Sequence, residues 1–191
     1  FALPEAEKRG YFAEDLAGAR GYTPFGTEIA KGAEHHDLKE FWHIGRDLPP
    51  GHPLATASMP PNIWPARPAG FRETFSTLFA EFDRAGATIL SRIALHLGLD
   101  EGWFAQSIAD GNSVLRLLHY PPVAASAGGA IRAGAHEDIN LITLLLGAEE
   151  AGLELLIREY RALITRRLAA RRARRPIAAR PAARRKTRPT T

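Results

Sequence analysis

The segment Ala135-His136-Glu137-Asp138-Ile139-Asn140-Leu141-Ile142-Thr143-Leu144-Leu145-Leu146 holds the residues best able to do chemistry. It reads as a strand, apolar on both faces in its second half as a buried strand would be. In an extended strand the side chains at i and i+2 leave the same face, so His136 and Asp138 converge and Glu137 points away. An imidazole and a carboxylate placed together are two of the three protein ligands of the facial triad that holds non-haem Fe(II) and leaves positions open. The third would be a second histidine further along, yet no His follows His136. Taken alone, a His-x-Asp pair is more often two polar side chains on an ordinary strand, so its surroundings decide its meaning.

Those surroundings are a chain of 191 residues, enough for one domain with a sizeable core, and 45% of them are hydrophobic. Cysteine is absent, which excludes disulfides, thiol nucleophiles and thiolate metal sites, so any metal must use His and carboxylate. No apolar run is long enough to span a bilayer and no signal peptide is visible, from which we expect a cytoplasmic protein without a membrane partner. The chain begins at Phe1 and its single methionine is Met59, from which we expect a fragment at the N-terminus. The net charge of +4 conceals two opposed parts. Residues 158–191 contain twelve Arg, one Lys and the single acid Glu159, a net +12, while the other 12 basic and 20 acidic residues give 1–157 a net −8.

The elements that must position His136 and Asp138 read as helices first and strands later. Leu3-Pro4-Glu5-Ala6-Glu7-Lys8 puts Pro and acids in a helical first turn. Residues 18–36 are a Gly-rich polar loop, and 38–44 form a short strand. The stretch 49–68 holds seven prolines and reads as an ordered loop. Phe71, Phe75, Leu78, Phe79, Phe82, Ile89, Leu90, Ile93, Ala94 and Leu97 recur at three- and four-residue steps, which predicts a helix with its apolar stripe in the core and Gly98 as its stop. Asp100 is the expected N-cap of a short helix through Ile108, and 113–120 a strand ended by Pro121-Pro122. A small-residue loop at 123–130 leads into the motif strand, and 152–156 is a further strand. The order argues for an α+β fold.

With these elements in place the chain resembles the isopenicillin N synthase-like branch of the Fe(II)/2-oxoglutarate-dependent oxygenases over residues 1–157. Four stretches carry the resemblance in order: Phe1-Ala2-Leu3-Pro4 with Lys8; Gly21-Tyr22-Thr23-Pro24-Phe25-Gly26 followed by Asp37-Leu38-Lys39-Glu40-Phe41-Trp42; Arg116-Leu117-Leu118-His119-Tyr120-Pro121-Pro122; and His136-Glu137-Asp138 with Leu141-Ile142-Thr143. The resemblance implies helices followed by a double-stranded β-helix, or jelly roll, here incomplete, with Fe(II) in the barrel mouth. It implies His136 and Asp138 as the first two iron ligands and Tyr120 as a residue that helps hold 2-oxoglutarate, with Leu118 where relatives often carry Asn. It implies coupling of O2 and, for most relatives, 2-oxoglutarate to oxidation of a small-molecule substrate.

The same resemblance calls for a distal His and an Arg-x-Ser beyond Asp138. Neither occurs in the 53 residues that follow. The resemblance stops near Ile157, where the composition switches to Arg, Ala and Pro, and the expectation is a frameshift or truncation that replaced the rest of the barrel. We therefore expect an oxygenase fragment, inactive as this chain, of domains 1–157 and a basic tail 158–191, disordered or partly helical through Leu156, Tyr160, Leu163 and Leu168. The alternative is a non-catalytic protein whose Arg-rich tail binds nucleic acid or acidic partners by counterion release. With Tyr160 alone for stacking, physiological nucleic-acid binding is not expected. Among bystanders, Arg116 reads as structural and His35-His36 as solvated. Trp42, Trp64 and Trp103 read as packing, and His119 as facing away from Tyr120.

Overall fold

A computed structural model describes residues 1–29, 34–56, 58–123 and 130–146. Three strands form one antiparallel sheet in the order β1 (Gly21–Thr23), β2 (Glu40–Gly45), β3 (Val114–His119). Helix α1 (Glu5–Arg9) precedes the sheet, and α2 (Phe71–His96) and α3 (Ala105–Ile108) fall between β2 and β3 in the chain. Helices joined to an antiparallel sheet are the α+β arrangement that the sequence predicts.

Register decides which side chains share a face. Tyr22 lies opposite Trp42, Trp42 opposite Leu117, and Ile44 opposite Leu115. Opposed residues project to the same side. On that side Tyr22, Trp42 and Ile44 form the core, with Tyr11, Phe12, Trp64, Phe71, Phe75, Phe79, Leu115 and Leu117 packed against them. The reverse side carries Phe41 opposite Leu118 and His43 opposite Arg116. All six residues of β2 are buried, so its polar members need partners on both sides. Gly45 shows how close the reverse side packs: a Cβ there would stand 2.0 Å from the Arg20 guanidinium carbon.

The 26 residues of α2 run about 39 Å. Phe71, Phe75 and Phe79 set one stripe on the sheet at four-residue steps, and Gly86, Leu90 and Ala94 are buried further along. The helix ends as predicted at Gly98, whose φ of +70° is open to glycine at little cost. Its N–H bonds Leu95 O at 3.0 Å and that of Leu99 bonds Ala94 O at 2.9 Å, a Schellman stop. The stripe is only partly covered, since Ile89 is 41% exposed. Trp103 is also exposed, unlike Trp42 and Trp64.

Three expectations need correction. The loop 18–36 contains β1, a strand of three residues, too short to show a period. The short helix starts at Ala105, after a turn in which Trp103 N–H bonds Asp100 O, so Asp100 is not its cap. Residues 135–146 join no strand ladder among the described residues. Their alternation survives all the same: Ile142 and Leu144 are half-buried, their methyls lying against Gly86 of α2, while Leu141, Thr143 and Leu145 are exposed. Alternation is written in local sequence, whereas a ladder needs a partner strand.

The chain divides into compact units Phe1–Leu146 and Gly147–Thr191. The second lies outside the described residues, and with it the expected strand at 152–156, the 157/158 boundary and the basic tail. Among the described residues no helix is long and apolar enough to cross a membrane.

Candidate metal centre

His136 Nδ1 lies 2.8 Å from the carbonyl oxygen of Gly134. A carbonyl only accepts, so Nδ1 carries the hydrogen and the Nε2 lone pair is left for another partner. Nε2 stands 3.6 Å from Asp138 Oδ1. The other carboxylate oxygen of Asp138 accepts from the Thr143 hydroxyl. The convergence expected of positions i and i+2 is thus present without a ladder, and both side chains are about half exposed. Each has its spare polar atom engaged, the arrangement that orients metal ligands in known sites.

Whether these two residues suit a metal is a matter of span. Two N or O ligands about 2.0–2.2 Å from one ion lie about 3 Å apart at a right angle and about 4 Å when opposed. The observed 3.6 Å falls between. No group of three His, Asp or Glu placed to hold an ion forms among the described residues. The pair therefore fits two positions of a centre and does not complete one, and no reaction step follows from it alone.

Tyr120 lies one residue beyond β3, half-buried, and strand alternation puts it on the side of Leu118 and Arg116. No hydrogen bond joins it to His136 or Asp138 among the described residues. His119 turns to the core side, where Nδ1 is 2.7 Å from Glu40 Oε1. Arg116 is structural as expected. Its Nε donates to His43 Nε2 at 2.6 Å, its Nη1 is 3.3 Å from Glu28, and its guanidinium lies over the Phe41 ring at 4.6 Å. His43 in turn gives its Nδ1–H to Gly18 O at 2.6 Å. Burial, and then the Arg116 charge, push the His43 pKa down to about 4, so the ring is neutral at pH 7.

Sequence reasoning missed the charges that reach the motif. Lys39 Nζ, almost fully buried, lies 2.8 Å from Asp37 Oδ2 and 2.6 Å from Glu28 Oε2. Asp37 Oδ1 accepts the N–H of Gly134 at 2.8 Å, and Leu38 N–H bonds Ile131 O at 3.0 Å. The stretch leading to His136 is thereby docked on residues 37–38, just ahead of β2. Burial would raise the Asp37 carboxyl; the Lys39 ammonium and the Gly134 N–H outweigh it and hold the group below the usual carboxylate range. In sequence these charges stand at the start of the strand at 38–44, and nothing local marks them as buried.

Similarity to known proteins bears on the family, not on the ligands. Residues 1–67 match the family model described as non-haem dioxygenase in morphine synthesis N-terminal. The chain is 33% identical over 174 residues to clavatol oxidase claD of Penicillium crustosum, covering 81% of this chain and 52% of that protein. It is 30% identical over 164 residues to the 2-oxoglutarate-Fe(II) type oxidoreductase hxnY of Emericella nidulans, covering 82% and 47%. Among solved structures, a 2OG-Fe(II) oxygenase family protein from Caulobacter crescentus is 54% identical with a TM-score of 0.63, covering 73% of this chain and 44% of that one. A full-length Neurospora crassa protein solved in complex with alpha-KG is 31% identical with a TM-score of 0.54, covering 71% and 39%. By these matches the chain resembles the Fe(II)/2-oxoglutarate-dependent oxygenase family over about four-fifths of its length. It spans about half the length of the curated relatives it matches.

Proposed function

We propose that this chain is part of an Fe(II)/2-oxoglutarate-dependent oxygenase that couples O2 to oxidation of a small-molecule substrate. Residues 1–157 are its partial catalytic domain, an incomplete jelly roll, and 158–191 a basic tail. His136 and Asp138 supply two iron ligands, and Tyr120 helps hold 2-oxoglutarate. Bound Fe(II) would activate O2 at positions that protein ligands leave open. What this chain contributes is orientation: Gly134 O fixes the His136 tautomer, and Thr143 occupies one oxygen of Asp138. The observation that carries the reading is the free Nε2 of His136 at 3.6 Å from Asp138 Oδ1. With no His after His136 and no Arg-x-Ser after Asp138, the chain by itself does not turn over.

Anaerobic Fe(II) titration of the chain beside His136→Ala, with 2-oxoglutarate present, tests this. The expected result is weak binding that the substitution abolishes. Equal binding by both proteins would remove His136 as a ligand. Micromolar binding lost in the variant would instead reveal a third ligand within this chain and overturn its inactivity.

A further inference from the structure

We infer that Asp37 is a positioning residue for the His136 imidazole, acting through Gly134; the inference rests on the ligand reading of His136 above. The contacts run without a gap. Lys39 Nζ meets Asp37 Oδ2, Asp37 Oδ1 accepts the Gly134 N–H, and the Gly134 carbonyl accepts the Nδ1–H of His136. One residue, Gly134, thus receives the tether through its N–H and passes it on through its C=O. Two further bonds close the platform: Leu38 N–H to Ile131 O at 3.0 Å and Asp37 N–H to Glu28 O at 2.9 Å.

The arrangement is built rather than incidental. The side chains of Asp37 and Lys39 are each 4% exposed, and two charges so far from water are costly unless every contact is made. Asp37 is not itself a spare metal ligand, because one oxygen faces Gly134 and the other Lys39. A His ligand needs its second nitrogen held, or the ring samples both tautomers and loses its aim. Here the acceptor that holds it is a backbone carbonyl in a segment without strand pairing among the described residues, so the carbonyl needs an anchor of its own. Asp37, seated on buried Lys39 at the start of β2, is that anchor.

The test compares wild type, Asp37→Asn and the double variant Asp37→Ala/Lys39→Met, which removes the acceptor without leaving a buried ammonium unpaired. Amide exchange at Gly134 and its neighbours should rise about tenfold in the double variant while β2 amides keep their protection. Asp37→Asn retains an uncharged acceptor, and a rise of about threefold is expected. The 15N shifts of the His136 ring should move from the Nδ1–H pattern to a tautomer average, which a merely structural loss elsewhere would not produce. Unchanged exchange and an unchanged ring overturn the inference; should the double variant not fold, Asp37→Asn decides by the same two readings. Titration with Co(II) alone separates the two layers. No binding by wild type overturns the ligand role and leaves the tether to the exchange data, whereas equal binding by wild type and variants shows that Asp37 does not position a ligand.

Discussion

The two faces of one small sheet are both wired with buried charge, and to different ends. On the core side Lys8 Nζ meets Glu40 at 2.6 Å and Glu5 at 3.1 Å, Tyr22 donates to Glu40, and His119 Nδ1 lies 2.7 Å from it. That network binds α1 to all three strands, β1 through Tyr22, β2 through Glu40 and β3 through His119. Burial and the neighbouring Glu40 hold the Tyr22 hydroxyl well above its ordinary range, so it donates at all working pH values. On the reverse side the chain Gly18–His43–Arg116–Glu28–Lys39–Asp37 reaches Gly134 and, through it, the His136–Asp138 pair. The difference teaches that burial of charge by itself does not mark a site. What marks it is where the network ends.

The comparison can be broken most sharply at Glu40. Glu40→Ala leaves the Lys8 ammonium buried without its best partner and should cost about 3–5 kcal/mol in urea unfolding. Amides near Gly134 should follow global stability only, since that network does not touch them. If they lose protection selectively, the two faces are coupled and the contrast fails.

Acid separates His43 from the carboxylates of both faces by window. The folded His43 pKa of about 4 lies below the ordinary value near 6.5, so the unfolded chain binds the proton first and stability falls as pH drops between those values. The shift corresponds to about 3 kcal/mol at most. Glu40, Asp37 and Glu28 are all held low, so their contribution is present above the ordinary carboxylate range and is lost only below about pH 4. His43→Gln should flatten the loss between pH 6.5 and 4 and leave the steeper one below. Equal slopes in both proteins would show that His43 is protonated in the native state.

A smaller effect belongs to Arg116, whose side chain is 36% exposed. Arg116→Met keeps the stem over Phe41 and should cost about 1 kcal/mol, with the loss screened by salt. A cost comparable to that of Glu40→Ala would mean that its contacts to His43 and Glu28 are shielded from water despite that exposure.

The smallest effect lies on α2. A Cβ at Gly86 would meet Leu144 and Ile142 at 3.6 and 3.7 Å, ordinary contact distances. Gly86→Ala should stabilise the helix by up to about 1 kcal/mol and fix the far end of the motif segment more firmly. A lower melting temperature would mean that residues 142–144 need that space.

Much of this was legible in the chain itself. The period of the Phe stripe and the glycine after it gave α2 and its stop, because a helix longer than seven turns repeats its signal many times. The apolar run at 113–120 gave β3, and the i, i+2 spacing gave the approach of His136 to Asp138, since both follow from local backbone geometry. Three-residue β1 was not legible, having no room for a period, and α3 started later than its Asp suggested because the turn before it took up Asp100.

What only the tertiary structure decided is which charges are buried and what they hold. Nothing local distinguishes Asp37, Lys39 and Glu28 from surface charges; their burial is set when residues 130–136 settle against the strand start, nearly a hundred positions away. The same holds for the tautomer of His136, which depends on a carbonyl two residues back, itself held by Asp37. Sequence determined the two candidate ligands because their spacing is a property of one segment. Their support is a property of distant segments brought together, and only folding could specify it.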